Sequence, residues 1–109
     1  SNTVYIQFMN YEERTENDIL IISANGEIDL ENSNNLRKQI SNALEANTVV
    51  SIEMSEVNYI DSSGVAALIE SKQKAGEAGK EFKILKPSET VLSVLKLAKL
   101  DSFFDIEQS

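Results

Sequence analysis

The segment with the clearest chemical potential is DSSG at residues 61–64, which stands between a strand-like run and a helix-like run. Serine and aspartate are favoured at helix starts because their side chains accept hydrogen bonds from unpaired backbone N–H groups, so capping is the simplest interpretation. A serine hydroxyl could also act as a nucleophile, line a phosphate-binding loop, or accept a phosphoryl group from another enzyme. Each of these three chemistries requires different neighbours.

The residues around the two serines exclude the first two chemistries. The chain contains no His that could take a proton from a nucleophilic serine, and DSSG lacks the glycine that precedes the nucleophile in the GxSxG elbow. A Walker phosphate loop carries Lys after its second glycine, where this chain has Val65 after Gly64. Accepting a phosphoryl group needs only an exposed hydroxyl that another enzyme reaches. Helix capping and phosphoryl acceptance therefore remain as alternatives.

The composition excludes further classes of function. With 10 Lys and Arg against 18 Asp and Glu, the formal charge of −8 repels phosphate backbones and anionic lipids, so we expect no direct nucleic-acid or membrane partner. The lack of Cys and His removes thiolate and imidazole chemistry, and no calcium-binding loop is recognisable. No apolar run reaches the roughly 20 residues that span a bilayer, and the N-terminal residues do not resemble a signal peptide. We therefore predict a cytoplasmic protein that is not an enzyme and that uses no cofactor or metal.

Hydrophobic periodicity predicts the elements that position these residues. The predicted strands cover residues 3–9, 19–23, 48–54 followed by 58–60, and 81–85, with a short edge strand at 103–106. The predicted helices begin at Ser33, within residues 61–64 and at Ser88, and Ser33 and Ser88 are the predicted N-caps. Residues 11–18 are interpreted as a solvated turn. Asn25-Gly26 is interpreted as the end of the second strand, which pairs antiparallel with the first.

The order of these elements predicts the fold class. Strand, strand, helix, strand, helix, strand, helix indicates an α/β domain with a mixed β-sheet packed with α-helices. A length of 109 residues fits a single domain, which we assign to residues 3–109 because Ser1-Asn2 resembles a cloning remnant. Connections between strands and helices gather functional groups where strands end. This singles out two segments, GEID at residues 26–29 and DSSG.

The sequence resembles the STAS domain family, which includes anti-sigma factor antagonists and the tails of sulfate transporters. The resemblance rests on four stretches in family order, which together cover nearly the whole chain: GEID, VVSIEMSEVNYIDSSGVAAL at 49–68, GKEFKIL at 79–85 and LKLAKLDSFFDI at 95–106. Its most specific part is the strand followed by Tyr-Ile-Asp-Ser-Ser-Gly-Val, because stand-alone antagonists carry Asp-Ser-Ser/Thr-Gly there. Ala66 departs from the pattern, since many antagonists have a second glycine at its position, and this predicts a stiffer or less closely approached helix start.

The resemblance implies a site. By position it implies phosphorylation of Ser62, with Ser63 as the alternative acceptor or as the neighbour that helps to cap the helix. It also implies that Asp29, Asp61 and Gly64 join the two serines on a partner-binding surface. From the residues alone, GEID is equally well explained as a strand-terminating turn with solvated carboxylates.

The resemblance also implies a function. The unphosphorylated protein would bind an anti-sigma factor serine kinase and free its sigma factor, phosphorylation by that kinase would break the complex, and a metal-dependent serine phosphatase would reset the cycle. An alternative is a STAS module that serves as a fixed subunit of a transporter or stress-sensing complex, without phosphate turnover. A third alternative is an enzyme or nucleotide binder, although the chain lacks the His, Cys or phosphate loop that such chemistry commonly uses.

Overall fold

The computed structural model describes residues 10–109, which form a five-stranded sheet and three helices. The elements are β1 (Glu12–Glu16), β2 (Ile19–Ile28), α1 (Ser33–Ala46), β3 (Val49–Ile60), α2 (Ser62–Glu77), β4 (Glu81–Leu85), α3 (Glu89–Leu97) and β5 (Asp105–Glu107). The strand order in the sheet follows the chain. β1 is antiparallel to β2, and the strands from β2 to β5 run parallel. The predicted α/β class with a mixed sheet is therefore confirmed. Within residues 10–109, no helix is both long and apolar enough to cross a membrane.

The hairpin that opens the described part of the chain differs from the prediction. The acidic residues 11–18, interpreted as a solvated turn, form β1 and a two-residue turn at Asn17-Asp18. The φ angles of 52° and 66° in that turn are typical of a type I′ hairpin. All five residues of β1 are exposed, so the strand lacks the buried face that produces a period-two pattern. β1 is the antiparallel partner of β2, and the strand predicted at residues 3–9 lies outside the described residues.

Strands β2 and β3 are longer than predicted, and their extensions carry the chain to the segments of interest. Asn25-Gly26 does not end β2, because two register shifts against β3 allow the ladder to continue to Ile28. Gly26 has a φ angle of +73°, a conformation that glycine adopts without a Cβ clash. The predicted division between residues 48–54 and 58–60 is also wrong, since β3 runs through both.

Buried residues from the sheet and from all three helices form one hydrophobic cluster. Its fully buried side chains include Ile22, Ile52 and Ile84 of the strands and Leu36, Leu68 and Leu95 of the helices. Burying each such side chain stabilises the fold by about 1.5 to 3 kcal/mol, before the entropy of ordering the chain is subtracted. This cluster fixes the position of α2 relative to the strands. It therefore also fixes where the ends of β2 and β3 lie relative to the start of α2.

The helix starts confirm one predicted cap and correct another. Ser88 is the N-cap of α3, as predicted, and its hydroxyl oxygen accepts a hydrogen bond from a backbone N–H of the first turn. The N-cap of α1 is Asn32, whereas the predicted cap, Ser33, is a buried residue inside the helix. The Asn32 side chain accepts a hydrogen bond from the backbone N–H of Asp29 at 2.9 Å and donates one to the carbonyl of Glu27 at 2.7 Å. These bonds order the turn that follows β2.

Candidate functional site

The two segments singled out by the sequence meet at the carboxyl ends of β2 and β3. The backbone N–H of Asp61 donates to the carbonyl of Ile28 at 3.1 Å, next to the ladder pair of Ile28 and Ile60. Gly64 packs against the same strand ends. A Cβ at Gly64 would lie 2.7 Å from Cγ1 of Ile60, 2.8 Å from Cγ2 of Ile28 and 3.1 Å from the Ile28 carbonyl oxygen. Only glycine fits this contact without a shift of its neighbours, so Gly64 allows α2 to start close to β2.

Asp61 is the N-cap of α2. Its Oδ1 accepts hydrogen bonds from the backbone N–H groups of Ser63 at 2.9 Å and Gly64 at 3.2 Å, and from the Ser63 hydroxyl at 2.5 Å. The capping role predicted for Ser63 therefore belongs to Asp61, and Ser63 and Gly64 supply the donors. The physical reason is the extended backbone of Asp61 (φ −105°, ψ −174°), which turns its carboxylate onto the first free N–H groups of the helix.

These hydrogen bonds lower the pKa of the Asp61 carboxyl group below its ordinary value. The largest cause is the bond from the Ser63 hydroxyl, and backbone N–H groups of Gly64, Ser63 and Leu30 act in the same direction, while desolvation opposes them. Asp61 is therefore ionised at neutral pH.

The two adjacent serines differ in accessibility. Ser62 is the first residue of α2 and is exposed, whereas Ser63 is only partly exposed and its hydroxyl is bonded to Asp61. Of the two roles that the sequence left open for DSSG, the structure assigns capping, and phosphoryl acceptance stays a prediction. Capping falls to Asp61, and the accessible hydroxyl is that of Ser62.

Asp29 lies where β2 leaves the sheet. Its Oδ1 accepts a hydrogen bond from the backbone N–H of Glu31 at 3.0 Å, and its carbonyl accepts from the N–H of Ser33 at 2.8 Å. Most of GEID belongs to β2, and Asp29 starts the turn between β2 and α1. The segment therefore orders the strand end, and a docking role for Asp29 stays a prediction.

Two exposed apolar residues that were not predicted lie at the same end of the sheet. Leu30 is 79% exposed and follows Asp29, and Tyr59 is 47% exposed near the end of β3. The signal in the sequence is an apolar residue inside a polar turn and an aromatic residue beside DSSG. Both residues lie at the end of the sheet that also carries Asp29, Asp61 and Ser62. We call this surface the serine face; its members are Asp29, Leu30, Tyr59, Asp61 and Ser62.

A groove of about 830 Å³ lies beside Asp29. Burial raises the pKa of the Tyr11 phenol on its wall, and the charge of Asp29 adds to this effect. The carboxylates among the described residues that line the groove are Glu12, Glu27, Asp29, Glu31, Glu53 and Glu56. Because phosphates are repelled by such a lining, the groove does not suit a nucleotide.

The fold and the site together define an α/β domain in which a helix presents a serine at the carboxyl end of a parallel strand. The family model of the STAS domain matches residues 10–109, and the chain belongs to the STAS family. The resemblance found in the sequence is thereby confirmed. Ala66, the residue that departs from the pattern, is exposed, so the close approach at the start of α2 depends on Gly64.

Three solved proteins show the same fold. A protein from Thermotoga maritima named as a candidate anti-sigma factor antagonist has a TM-score of 0.83 at 23% identity, over 91% of this chain and 86% of that chain. An anti-sigma factor antagonist from Mycobacterium paratuberculosis has a TM-score of 0.80 at 20% identity, over 90% and 84%. The antagonist SpoIIAA in its unphosphorylated form has a TM-score of 0.72 at 21% identity, over 88% and 86%. The phosphorylated form of SpoIIAA, a Bacillus cell fate determinant, has a TM-score of 0.68 at 21% identity, over 88% and 89%.

Proposed function

We propose that this protein is an anti-sigma factor antagonist whose binding to an anti-sigma factor serine kinase is switched by phosphorylation of Ser62. The unphosphorylated form binds the kinase, and the kinase then releases its sigma factor. Transfer of phosphate from ATP, with magnesium in the kinase, separates the complex, and a metal-dependent serine phosphatase restores the binding form. In this cycle the chain acts as a binding protein and substrate, and it supplies no catalytic residue. The likeness to antagonists, including one solved in both phosphorylation states, supports the proposal.

The observation that carries the proposal is the exposure of Ser62 at the first position of α2. A kinase must bring an acceptor hydroxyl to the γ-phosphate of ATP, so the hydroxyl has to be accessible on the folded protein. Ser62 meets this requirement on a face that also exposes Leu30 and Tyr59. Apolar side chains of this kind are suited to hold a partner while the serine is presented to it.

The start of α2 explains how a phosphate would act as a switch. A phosphoserine carries about −1.5 to −2 charges, and a helix N-terminus stabilises such a group by about 0.3 to 1 kcal/mol. Here the N–H groups of Ser63 and Gly64 already donate to Asp61. The phosphate therefore cannot fold back onto them without displacing Asp61, and it projects from the serine face into the partner.

The phosphate weakens the complex because it has to be desolvated where the partner packs. Burying a charge without a matched counter-charge costs several kcal/mol, and that cost arises only in the complex. Each 1.4 kcal/mol corresponds to about tenfold in the dissociation constant. We therefore expect binding to fall by about tenfold or more.

The test is a binding titration with purified anti-sigma factor serine kinases. Ser62→Ala should bind as the parent does, and Ser62→Asp should bind about tenfold or more weakly while its melting temperature stays within a few degrees of the parent value. The matched control is Ser102→Asp, which adds the same charge at an exposed serine in the turn before β5, at the other end of the sheet. Equal affinity of Ser62→Asp and Ser102→Asp for a kinase that binds the parent would contradict the proposed switch.

A further inference from the structure

The two serines at the start of α2 have the same side chain but different surroundings. Ser63 donates both its hydroxyl, at 2.5 Å, and its backbone N–H, at 2.9 Å, to the same Oδ1 of Asp61. Ser62, one residue earlier, is exposed. One carboxylate oxygen therefore holds Ser63 in place and leaves its neighbour accessible.

We propose that Asp61 selects the phosphorylation site, by holding the Ser63 hydroxyl against the start of α2 so that Ser62 is the serine of the pair that reacts. The proposal rests on the proposed function and specifies how one of two adjacent hydroxyls is chosen. Asp61 is a positioning residue in this proposal, since it acts through the hydroxyl of Ser63.

The chemistry of the transfer explains the selection. The acceptor Oγ forms a bond to the γ-phosphorus of ATP, the bond from that phosphorus to the β,γ-bridging oxygen breaks, ADP leaves, and the hydroxyl proton passes to a base of the kinase. The acceptor must therefore direct a lone pair at phosphorus and its proton at that base. The proton of Ser63 is directed at Asp61 instead. Breaking this charge-assisted bond before reaction slows transfer to Ser63 by about tenfold to a hundredfold.

Asp61 holds the Ser63 hydroxyl without activating it. A general base has to accept the proton in the transition state, and its efficiency falls as its pKa falls away from the working pH. The Asp61 carboxylate accepts three hydrogen bonds, and these lower the pKa of the group. Protonation of Asp61 would also weaken its bonds to the first N–H groups of α2. Its surroundings therefore favour the ionised cap.

The test maps the phosphorylated residue in three variants of the full chain, using a kinase that modifies the parent together with Mg-ATP. Ser62→Ala removes the main acceptor, and we expect its Ser63 to carry less than about a tenth of the parental phosphate. Adding Asp61→Gly releases Ser63, at little cost because glycine is tolerated at an N-cap, and we expect about tenfold or more phosphate on Ser63 than in Ser62→Ala alone. Adding Asp61→Asn instead is the matched control. It keeps an oxygen that accepts from Ser63, so phosphate on Ser63 should stay below that of the glycine variant.

Three outcomes overturn the selection by Asp61. The first is transfer to Ser63 in Ser62→Ala at the parental rate, and the second is no gain on Ser63 when Asp61→Gly is added. The third is equal phosphate on Ser63 in the glycine and asparagine variants, because an oxygen that accepts from Ser63 would then make no difference. A parent chain that accepts phosphate on neither serine refutes the proposed function instead.

A measurement without a kinase tests the same hydrogen bonds. The amide resonance of Ser63 is followed by NMR through an acid titration of the parent and of Asp61→Gly. We expect the Ser63 resonance to move with protonation of the Asp61 carboxyl group in the parent and to lose that transition in the variant. A parental Ser63 resonance that does not respond would show that Asp61 does not hold Ser63, and would overturn the proposal even if no kinase were in hand.

Discussion

At the level of single residues, Asp61 caps α2 and Ser62 is the exposed serine of DSSG. The sequence alone did not show which residue has which property. Aspartate and serine are both good N-caps, so spacing alone does not tell which of the residues 61–63 caps α2. Asp61 is the cap because its backbone is extended. That conformation depends on the hydrogen bond that the backbone N–H of Asp61 donates to the carbonyl of Ile28 in the neighbouring strand β2. The candidate serine was predictable from the motif. Its exposure was not, because exposure depends on contacts between distant segments.

The lowered pKa of Asp61 predicts how stability depends on pH. Because the folded-state pKa lies below the ordinary value of 3.8, the unfolded chain binds the proton more readily. The stabilisation by Asp61 is therefore present above that value and is lost as the pH falls through the folded-state pKa. Thermal melts between pH 6 and pH 2 should show a shallower acid loss of stability for Asp61→Asn than for the parent. Parallel curves for the two proteins would contradict this assignment.

The exposed apolar residues of the serine face predict a binding effect without a folding effect. Leu30→Ala and Tyr59→Ala should each weaken binding to the kinase by about fivefold or more, since truncating a residue central to an interface commonly costs over 1 kcal/mol. Their melting temperatures should stay near the parental value because Leu30 is 79% exposed and Tyr59 is 47% exposed. Leu97→Ala is the matched control, since Leu97 is 85% exposed on α3. A loss of binding as large in Leu97→Ala would show that the kinase uses another surface.

At the level of secondary structure, the sequence predicted the helices and strands whose own residues show a clear hydrophobic pattern. The bounds of β4 agree with the predicted strand, because EFKIL alternates between outer and buried residues. The strand β1 was missed because all its residues are exposed. The unbroken β3 was missed because its register shifts depend on how it pairs with β2, which the sequence of one strand does not show. The N-cap of α1 was misassigned since Asn32 and Ser33 are both suitable cap residues, and Asn32 precedes the first helical turn. The observed edge strand, β5, begins two residues later and ends one residue later than the strand predicted at residues 103–106.

The start of α2 predicts opposite effects for two glycines of one helix. Gly64→Ala places a Cβ within 3 Å of Ile60 and Ile28, and overpacking of this kind costs about 1 to 3 kcal/mol. Gly76→Ala meets no atom within 4 Å in the last turn, so the higher helix propensity of alanine should stabilise the protein by about 0.5 to 1 kcal/mol. Urea unfolding of both variants measures the difference. A neutral Gly64→Ala would contradict the close packing of α2 on the ends of β2 and β3.

At the level of the whole molecule, the formal charge of −8 predicts how the rate of association with the partner depends on salt. An acidic surface accelerates association with a basic docking surface, and salt screens this attraction. For a kinase that docks through a basic surface, we expect the association rate to fall by about tenfold between roughly 50 mM and 500 mM salt, with a smaller change in the dissociation rate. Surface plasmon resonance at several salt concentrations gives both rates. An association rate that is independent of salt would contradict an electrostatic approach.

The most direct test of the proposed switch is to incubate the protein with purified anti-sigma factor serine kinases and Mg-ATP, and to measure intact mass and the modified residue, with Ser62→Ala alongside. We expect one phosphate on Ser62 in the parent and its loss in the variant. A protein that remains unmodified, under conditions in which another antagonist is phosphorylated by its own kinase in the same set, would contradict the switch. It would favour a STAS subunit that binds its partner without phosphate turnover.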